Sequence, residues 1–308
     1  MNDQMDLFSF NTPKFVIDKP IRLIEMFAGI GAQAKALENL GVDFEHWFVC
    51  EIDKFALASY NAIHGTNFET KDITKVHAAE LKITEREKYC YILTYSFPCQ
   101  DLSLAGKQKG MSKGSSTRSG LLWEVERILD ECVELPQVLL MENVPQVIGT
   151  KNIKDFQLWR SKLEKLGYSN YVQLLNAKNY GIPQNRNRCF MVSILGKYHY
   201  SFPHKKKLKL KLKDLLEDKV DDKYYLSDEM VNYFIANNEK QKELGNGFRF
   251  DPFEREIPIK NRTKKGYLMA SDGDGIDISP RMIYHRGTVQ KGMSQTIKTS
   301  CDVGVKES

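Results

Sequence analysis

The chain has 308 residues, 42% of them hydrophobic and 28% charged, which is the balance of a soluble globular protein with room for one large domain and a smaller one. No stretch approaches the roughly 18 consecutive apolar residues of a membrane span, and residues 1–11 lack the basic region of a secretory signal. The net charge of +5 permits a nucleic-acid partner without requiring one. We therefore expect a cytoplasmic protein without a membrane partner.

Cys99 stands apart among the six cysteines. The six form no CxxC pair, so their spacing predicts neither a zinc site nor a disulfide framework, and we expect no metal. Cys50, Cys90, Cys132 and Cys189 lie in apolar strand-like or helical patterns, which indicate core positions. Cys99 ends an apolar run before a polar, glycine-rich loop, where a thiolate nucleophile can meet a substrate. Taken alone, a Pro-Cys pair is more simply a strand end with a buried small residue.

The first motif is a strand, a glycine turn and a helix. Residues 21–27 form a predicted strand and residues 32–40 a predicted helix, joined by a turn that contains Gly29 and Gly31. Such glycines let the backbone approach a ligand at the helix N-terminus. The third glycine of a dinucleotide fingerprint is absent because Ala34 occupies its place, so a plain tight turn stays the alternative.

Acidic residues follow at the ends of the next elements. A second predicted strand, residues 46–52, carries Glu51 near its end, where a carboxylate commonly accepts the ribose hydroxyls of a nucleoside. A third element ends near Asp72. Their ordered recurrence along one sheet edge favours an adenosine pocket over unrelated surface acids.

The fourth predicted strand, residues 89–97, delivers Pro98 and Cys99 to the sheet edge at which ligands of open α/β sheets bind. The loop 101–118 that follows is glycine-rich and basic. A loop of this length is uncommon in a compact domain unless it is functional or disordered. We expect it to grip a polyanion beside the nucleophile, with an inert surface insertion as the alternative.

A carboxylate and two guanidinium groups arrive later in the chain. The predicted strand 137–141 ends at Glu142, which could act as a general acid if burial raised its pKa and is otherwise a capping acid. Arg186 and Arg188 precede the predicted strand 189–195. Their alternation places them on one side of an extended backbone, where they suit a base carbonyl or phosphates.

The chain changes character after Gly196. Residues 204–213 alternate lysine with leucine, a period of two that predicts an exposed strand with one apolar face. From Gly245 onward, arginines and lysines stand among glycines and aromatic residues in an irregular pattern. This pattern is typical of a basic module that contacts nucleic acid, with a solvated charged surface as the simpler alternative.

Together, these motifs resemble those of the cytosine-C5 DNA methyltransferases of bacterial or phage type, which use S-adenosylmethionine. The segments stand in the family's order within about residues 20–195, and their combination is specific although no single motif is. They are residues 27–31, Pro98-Cys99-Gln100, Glu142-Asn143-Val144 and Gln184-x-Arg186-x-Arg188.

The resemblance implies an α/β fold: a Rossmann-like S-adenosylmethionine methyltransferase domain with a mostly parallel sheet in residues 20–198. A lead-in, residues 1–19, precedes it, and a smaller irregular target-recognition domain, residues 199–308, follows. The family's Thr-Pro-Arg-Glu-like segment and final Gly-Asn-Ser-like helix are not found. We therefore expect a truncated or split enzyme and, in the second case, a complementing C-terminal chain.

The resemblance also implies a role for each motif residue. Cys99 attacks C6 of a flipped-out cytosine in double-stranded DNA, and Glu142 contacts N3 and the exocyclic amine. Arg188 reaches the cytosine O2, and Arg186 supports the loop and the thiolate. The cofactor S-adenosylmethionine is held by the remaining motif residues: Phe27, Gly29, Gly31 and Pro98 along the site, Glu51 at the ribose, Ile52 on the adenine, Asp72 and Ile73 at the adenine edge, and Leu121 near the methionine end.

Other functions stay open beside the DNA methyltransferase. One is a DNA-binding remnant with little or no activity, and another is an RNA cytosine-C5 methyltransferase. The basic segment after Gly196 favours DNA over a compact transfer RNA. An NAD-type Rossmann enzyme fits worst, because it leaves Cys99, Glu142 and the paired arginines unexplained. Membership of a restriction-modification system, independent action and a phage origin are equally open.

Overall fold

The computed structural model describes residues 12–102, 110–115, 117–227, 230–231, 256–279, 287–297 and 303–306. The chain divides into two compact units, Met1–Leu175 with Arg188–Pro203 and Asn176–Asn187 with His204–Ser308. The first unit contains a large sheet and the helices that connect its strands, and the described part of the second consists mainly of short strands and turns. The assignment of residues 20–198 and 199–308 to two functional domains stays a prediction.

A six-stranded sheet forms the centre of the first unit. Its strands are β1 (Ile21–Met26), β2 (Phe44–Cys50), β3 (Cys90–Tyr95), β4 (Val138–Asn143), β5 (Tyr168–Asn176) and β7 (Asn187–Leu195), while β6 (Gln184–Asn185) lies in the second unit. Their order is β2-β1-β3-β4-β7-β5, with the first four parallel and β7 antiparallel to β4. The apolar β1 and β3 are buried along their whole length, as parallel strands covered on both faces are. The predicted α/β fold with a mostly parallel sheet is confirmed.

Helices connect these strands. They are α1 (Ala32–Asn39), α2 (Lys54–His64), α3 (Ala78–Leu81), α4 (Leu122–Glu131) and α5 (Ile153–Lys165). The bounds of α2 follow from its caps: the Asp53 carboxylate accepts the N–H groups of Phe55 and Ala56, and Gly65 ends the helix at φ 63°. Trp123 of α4 and Trp159 of α5 meet edge to face at 6.4 Å in the main core.

The third predicted element of the sheet is not a strand. The segment before Asp72 lies beside Glu51, whose carbonyl oxygen accepts the N–H group of Lys71 at 2.9 Å, and a short 3₁₀ helix, Ile73–Lys75, follows. The physical reason is local, because the Asp72 carboxylate accepts the N–H and hydroxyl groups of Thr74 and turns the chain there.

Short strands and turns make up most of what the structure describes of the second unit. β8 (Glu256–Lys260) pairs antiparallel with β9 (Tyr267–Ser271), and β10 (Gly275–Asp277) lies between β11 (Val289–Gln290) and β13 (Val303–Val305). β12 (Ser294–Gln295) pairs in parallel with β6. The buried Asp274 carboxylate connects the turns, since it accepts the N–H groups of Ser271 and Gly292 at 2.8 Å. A small core lies beneath the strands: Ile257, Ile259, Ala270 and Ile276.

The predicted strand at residues 204–213 is wrong. The structure leaves residues 201–211 without regular secondary structure, and a 3₁₀ helix begins at Leu212. The alternation itself is present, because Leu208, Leu210 and Leu212 are half-buried whereas the lysines between them are exposed. A period of two describes an extended chain, and a strand also needs a hydrogen-bonded neighbour.

Some predicted features lie outside the described residues. They include Lys107 and Lys109 of the basic loop and four arginines of the basic module: Arg249, Arg255, Arg281 and Arg286. Across the parts of the chain that the structure describes, no helix combines the length and the apolar character needed to cross a membrane.

Candidate active site

The turn after β1 has an unusual backbone. Phe27, Gly29 and Gly31 have positive φ angles of 58°, 58° and 79°. This region suits glycine, so Phe27 is held there by its surroundings, and non-glycine residues of this kind concentrate at functional sites. The N–H group of Ala28 donates to the carbonyl of Cys50 at 3.1 Å, which fixes the turn to the end of β2. A Cβ added at Gly29 would meet no atom within 4 Å, so the turn opens onto space that a ligand can enter.

Glu51 connects this turn to the next loop. Its Oε2 accepts the N–H group of Gly29 at 2.8 Å, and its Oε1 accepts that of Asp53, also at 2.8 Å. A carboxylate offers about four acceptor positions, so Glu51 keeps capacity for hydroxyl groups beside these two bonds. The neighbouring Ile52 side chain is 67% exposed, which is unusual for a large apolar residue and suits the face of a planar ring.

Asp72 and Ile73 lie in the segment that Glu51 also contacts. Both bonds from Thr74 go to Oδ1 of Asp72, so Oδ2 lies outside the cap, and these bonds lower the pKa of the carboxyl group. The Ile73 side chain is 5% exposed and belongs to the main core, so a ligand at this point would meet its backbone rather than its side chain. Nη2 of Arg127 holds the segment from α4, since it donates to the carbonyls of Ile73 and Val76 at 3.1 and 2.9 Å.

Cys99 follows β3 on a turn that other parts of the chain hold in place. The fully buried Ser119 donates its hydroxyl to the carbonyl of Pro98 at 2.6 Å, and the Asn143 amide donates to the carbonyl of Phe97 at 3.0 Å. The Cys99 carbonyl accepts the N–H group of Leu102 at 3.0 Å. Cys99 itself is partly buried against the main core, which gives its sulfur a fixed position at the carboxyl end of β3.

The two ends of the predicted loop 101–118 are bonded to each other. The Asp101 carboxylate accepts the N–H group of Arg118 at 2.9 Å, and the Arg118 guanidinium donates to the side chain of Gln100 at the same distance. Residues 103–109 and 116 of the loop lie outside the described residues. The base of the loop therefore meets the chain directly beside Cys99.

Glu142 and Arg188 form an ion pair on neighbouring strands. Arg188 Nε lies 3.0 Å from Glu142 Oε1, and the two side chains are 16% and 19% exposed. The pair lies on the edge where β4 ends, because Glu142 and Asn143 are the last two residues of that strand. Two predicted site residues, an acid and an arginine, are thus in direct contact.

Arg186 lies between β6 and β7. It belongs to the second unit, and its N–H group donates to the carbonyl of Gln184 at 3.0 Å, which turns the chain between β6 and β7. Its own carbonyl accepts the N–H group of Ala177. The hydrogen bond to Gln184 closes a tight turn around Asn185, before Arg186, and β7 begins at Asn187. That Arg186 and Arg188 share one side of an extended backbone stays a prediction.

The first unit contains Leu121, the last of the predicted site residues, and also the residues that the sequence analysis missed. Leu121 immediately precedes α4 and packs, partly buried, against the main core. Sequence reasoning gave no role to Ser119 or Arg127, whose bonds reach partners 21 and 54 residues away. Asn143 belongs to the motif Glu142-Asn143-Val144, and this position beside Glu142 is the sequence feature that could have indicated it.

Comparisons with known proteins identify the family of the chain. Residues 21–303 match the family described as C-5 cytosine-specific DNA methylase. The orphan methyltransferase M.SssI of Spiroplasma monobiae is 36% identical over 284 residues, which cover 73% of this chain and 72% of that protein. The type II methyltransferase M2.ScrFI of Lactococcus lactis subsp. cremoris is 35% identical over 260 residues, with 69% and 72% covered.

The fold is shared with solved methyltransferases. The crystal structure of S. pombe Dnmt2 superposes with a TM-score of 0.55 at 21% identity, over 70% of this chain and 65% of that chain. At this identity the structural similarity shows the fold alone, and the sequence matches show the family. The chain belongs to the C-5 cytosine-specific DNA methylase family.

Proposed function

We propose that the protein transfers a methyl group from S-adenosylmethionine to C5 of a cytosine flipped out of duplex DNA, through a covalent bond between Cys99 and C6. One observation carries the proposal. Asn143, adjacent to Glu142 at the end of β4, donates to the Phe97 carbonyl two residues before Cys99. A possible nucleophile and the Glu142–Arg188 pair thus lie at the same end of two hydrogen-bonded parallel strands.

The residues present fit S-adenosylmethionine. Open space above Gly29, the backbone strain at Phe27 and the exposed Ile52 support a ligand site at the ends of β1 and β2. In our proposal Glu51 accepts the ribose hydroxyls, and Ile52 packs on the adenine. Asp72 Oδ2 and the backbone of Ile73 take the adenine edge. Four further residues line the methionine part: Gly29, Gly31, Pro98 and Leu121.

The bound cofactor would supply an electrophilic methyl group on a sulfonium. Cytosine C5 is a poor nucleophile, and the Cys99 thiolate overcomes this by adding to C6, which moves electron density to C5. After C5 has gained the methyl group, loss of the C5 proton and expulsion of the thiolate restore the aromatic ring and Cys99. The target atom is stacked inside duplex DNA, so the base must leave the stack to reach Cys99.

Glu142 and the arginines would act on the base itself. Glu142 would hold N3 and the exocyclic amine while the ring becomes an enamine. Arg188, already bonded to Glu142, would donate to O2 of the same ring. Arg186 would support the loop and the thiolate, as the resemblance to the family implies.

Covalent trapping tests the proposal. A mixed-sequence pool of duplexes with 5-fluorocytosine in place of cytosine presents every target sequence. Fluorine at C5 cannot leave as the proton does, so the covalent bond to Cys99 is not released. With S-adenosylmethionine present, we expect an adduct that survives denaturing electrophoresis and disappears in Cys99→Ser. Cys132→Ser is the matched control, because burial raises the pKa of that thiol to about 11, and it should form the adduct normally.

Two other results would redirect the proposal. Retained DNA binding without any adduct would indicate a DNA-binding protein that has lost the chemistry. An adduct formed with 5-fluorocytosine in transfer RNA, and not in duplex DNA, would indicate the RNA-directed activity.

A further inference from the structure

A cluster of polar side chains lies behind the turn after β1. Tyr60 donates its hydroxyl to Oε2 of Glu25 at 2.5 Å, and Nδ1 of His46 lies 2.7 Å from the same hydroxyl oxygen. Nδ1 of His64 lies 2.7 Å from Oε1 of Glu38. The members come from four elements that meet beside the turn, β1, α1, β2 and α2, and the cluster joins them.

His64 connects this cluster to the turn itself. Its Nε2 lies 3.3 Å from the carbonyl oxygen of Ile30, and its side chain is completely buried. A Cβ added at Gly31 would lie 2.3 Å from that Nε2 and 2.7 Å from the ring of Tyr60. Gly31 is therefore needed for this close approach as well as for its positive φ, and the imidazole supports the turn from behind.

The two nitrogens of His64 both face oxygen acceptors. Glu38 presents a carboxylate, whose pKa is lowered by the hydrogen bonds from Lys35 and from His64, and Ile30 presents a carbonyl. A neutral imidazole has one N–H group and can satisfy only one of these oxygens. The imidazolium has two, so it donates to both at once.

The titratable groups around His64 are compatible with a positive charge on the His64 ring alone. Burial, and then the nearby His64, lower the pKa of His46, which favours the neutral form of that ring. Burial raises the pKa of Glu25 and of Tyr60. Lys35 faces Glu38 from the solvent side at 2.7 Å. The Glu38 carboxylate is thus the group that pairs with the His64 charge.

We propose that protonated His64 is a positioning residue for the cofactor: by donating to Glu38 and to Ile30 together, it holds the 28–31 turn in the shape that receives S-adenosylmethionine. The inference rests on the cofactor site of the proposed function. Its consequence is that cofactor affinity falls as His64 loses its proton. Binding and proton uptake are linked, so the effect is limited to about tenfold in Kd per pH unit.

Calorimetric titration with S-adenosylhomocysteine, from about pH 6 to about pH 8.5, tests this in the range where histidines titrate. We expect the wild-type Kd to rise more steeply with pH than that of His64→Gln, which should bind weakly at every pH. The amino group of the ligand titrates equally with the wild type and with each variant. The readout is therefore the difference between proteins in the slope of log Kd against pH. His199→Gln replaces a partly buried histidine packed beside Tyr171 and should retain the wild-type slope.

A second variant covers the case in which His64→Gln does not fold. Glu38→Gln changes a side chain that is 30% exposed, and it should shift the fall in affinity to lower pH, because the imidazolium loses its carboxylate partner. Equal slopes in the wild type and in whichever variants fold would overturn the inference.

Zinc titration supplies another contradicting outcome. One side-chain nitrogen or oxygen of each of Glu38, His46 and His64 lies within 4.8 Å of the other two. Tight Zn²⁺ binding that depends on His64 would show that the cluster is a metal site instead. If the wild type binds no S-adenosylhomocysteine at any pH, the proposed function fails as well, whereas binding with equal slopes removes the role of His64 alone.

Discussion

At the scale of single residues, Ser119 shows how the turn that carries Cys99, the proposed nucleophile, is held. Its hydroxyl donates to the Pro98 carbonyl, one residue before Cys99, and its side chain is fully buried. Asn143 satisfies the preceding carbonyl in the same way. Because buried carbonyls without a partner are costly, these two donors favour one conformation of the turn over its alternatives.

We expect Ser119→Ala to slow adduct formation on 5-fluorocytosine DNA while cofactor binding remains. The Pro98 carbonyl, which is part-buried, would lose its donor, at a cost of up to about 1–3 kcal/mol in the free energy of unfolding. Denaturant unfolding and the rate of trapping measure the two effects. Ser112→Ala, which removes an exposed bond to Asp155, is the control and should change neither. A normal trapping rate in Ser119→Ala would show that the turn needs no such support.

The sequence indicates the residues proposed to face a ligand more readily than those that support them. Cys99, Glu51 and Glu142 could be predicted because each stands at or near the end of an apolar run, where an α/β sheet binds its ligands. Ser119 could not, since its partner lies 21 residues earlier and only the folded chain brings them together.

At the scale of elements, α4 holds the segment that leads from Asp72 into α3. Arg127 donates to the carbonyls of Ile73 and Val76, and Glu131 accepts the N–H group of Ala78 at 3.1 Å. Glu131 also accepts from Arg127 at 2.7 Å. One face of a helix thus fixes the backbone proposed to recognise adenine.

The Glu131 carboxylate predicts a pH dependence of stability. The Ala78 N–H group, Arg127 and His77 lower its pKa from 4.5 to about 2. A carboxyl with a lowered pKa stabilises the folded state above its unfolded pKa, and this contribution disappears as pH falls from about 4.5 to about 2. We expect Glu131→Gln to lower the Tm at pH 7 and to have little effect near pH 2, as measured by thermal unfolding.

Glu164→Gln is the control for this comparison, because it removes a surface carboxylate paired only along its own helix with Arg160. It should leave the Tm nearly unchanged at both pH values. A Tm decrease in Glu131→Gln that is equally large at both pH values would contradict the assignment to the ionised carboxylate.

Elements with local signals are the ones that sequence locates well. Asp53 and Gly65 mark the ends of α2, and the predicted Pro98–Cys99 strand end matches the end of β3 to within a few residues. The failure at residues 204–213 has the opposite cause. Leu212 donates its N–H group to the Gly292 carbonyl at 2.8 Å, a distant contact that no local period reveals.

At the scale of the whole molecule, the second unit presents lysines to solvent. Lys205, Lys207 and Lys209 are exposed along an extended segment. In our proposal they neutralise DNA phosphates, and each such contact adds about 0.9 to the slope of log K against log salt. The triple substitution of these lysines by glutamine should therefore reduce the slope by up to about 2 to 3, as measured by fluorescence anisotropy.

Lys223→Gln is the control for the salt dependence. It also removes a positive charge from the second unit, but one that already lies 3.1 Å from the Asp221 carboxylate. We expect its slope to equal that of the wild type. An unchanged slope in the triple variant would show that residues 205–209 do not contact the phosphates.

The chain path through the second unit, which contains most of the predicted target-recognition domain, bears on how that unit can be exchanged between relatives. The strand pair β6 and β12 joins Gln184 with Ser294, so the second unit is assembled from two separate stretches, Asn176–Asn187 and His204–Ser308. A chimera that takes only the later stretch from a relative contains that relative's β12 but not the β6 with which it pairs. Recombination at a single point near residue 204 should therefore yield poorly folded hybrids, and a working transplant must carry both pieces.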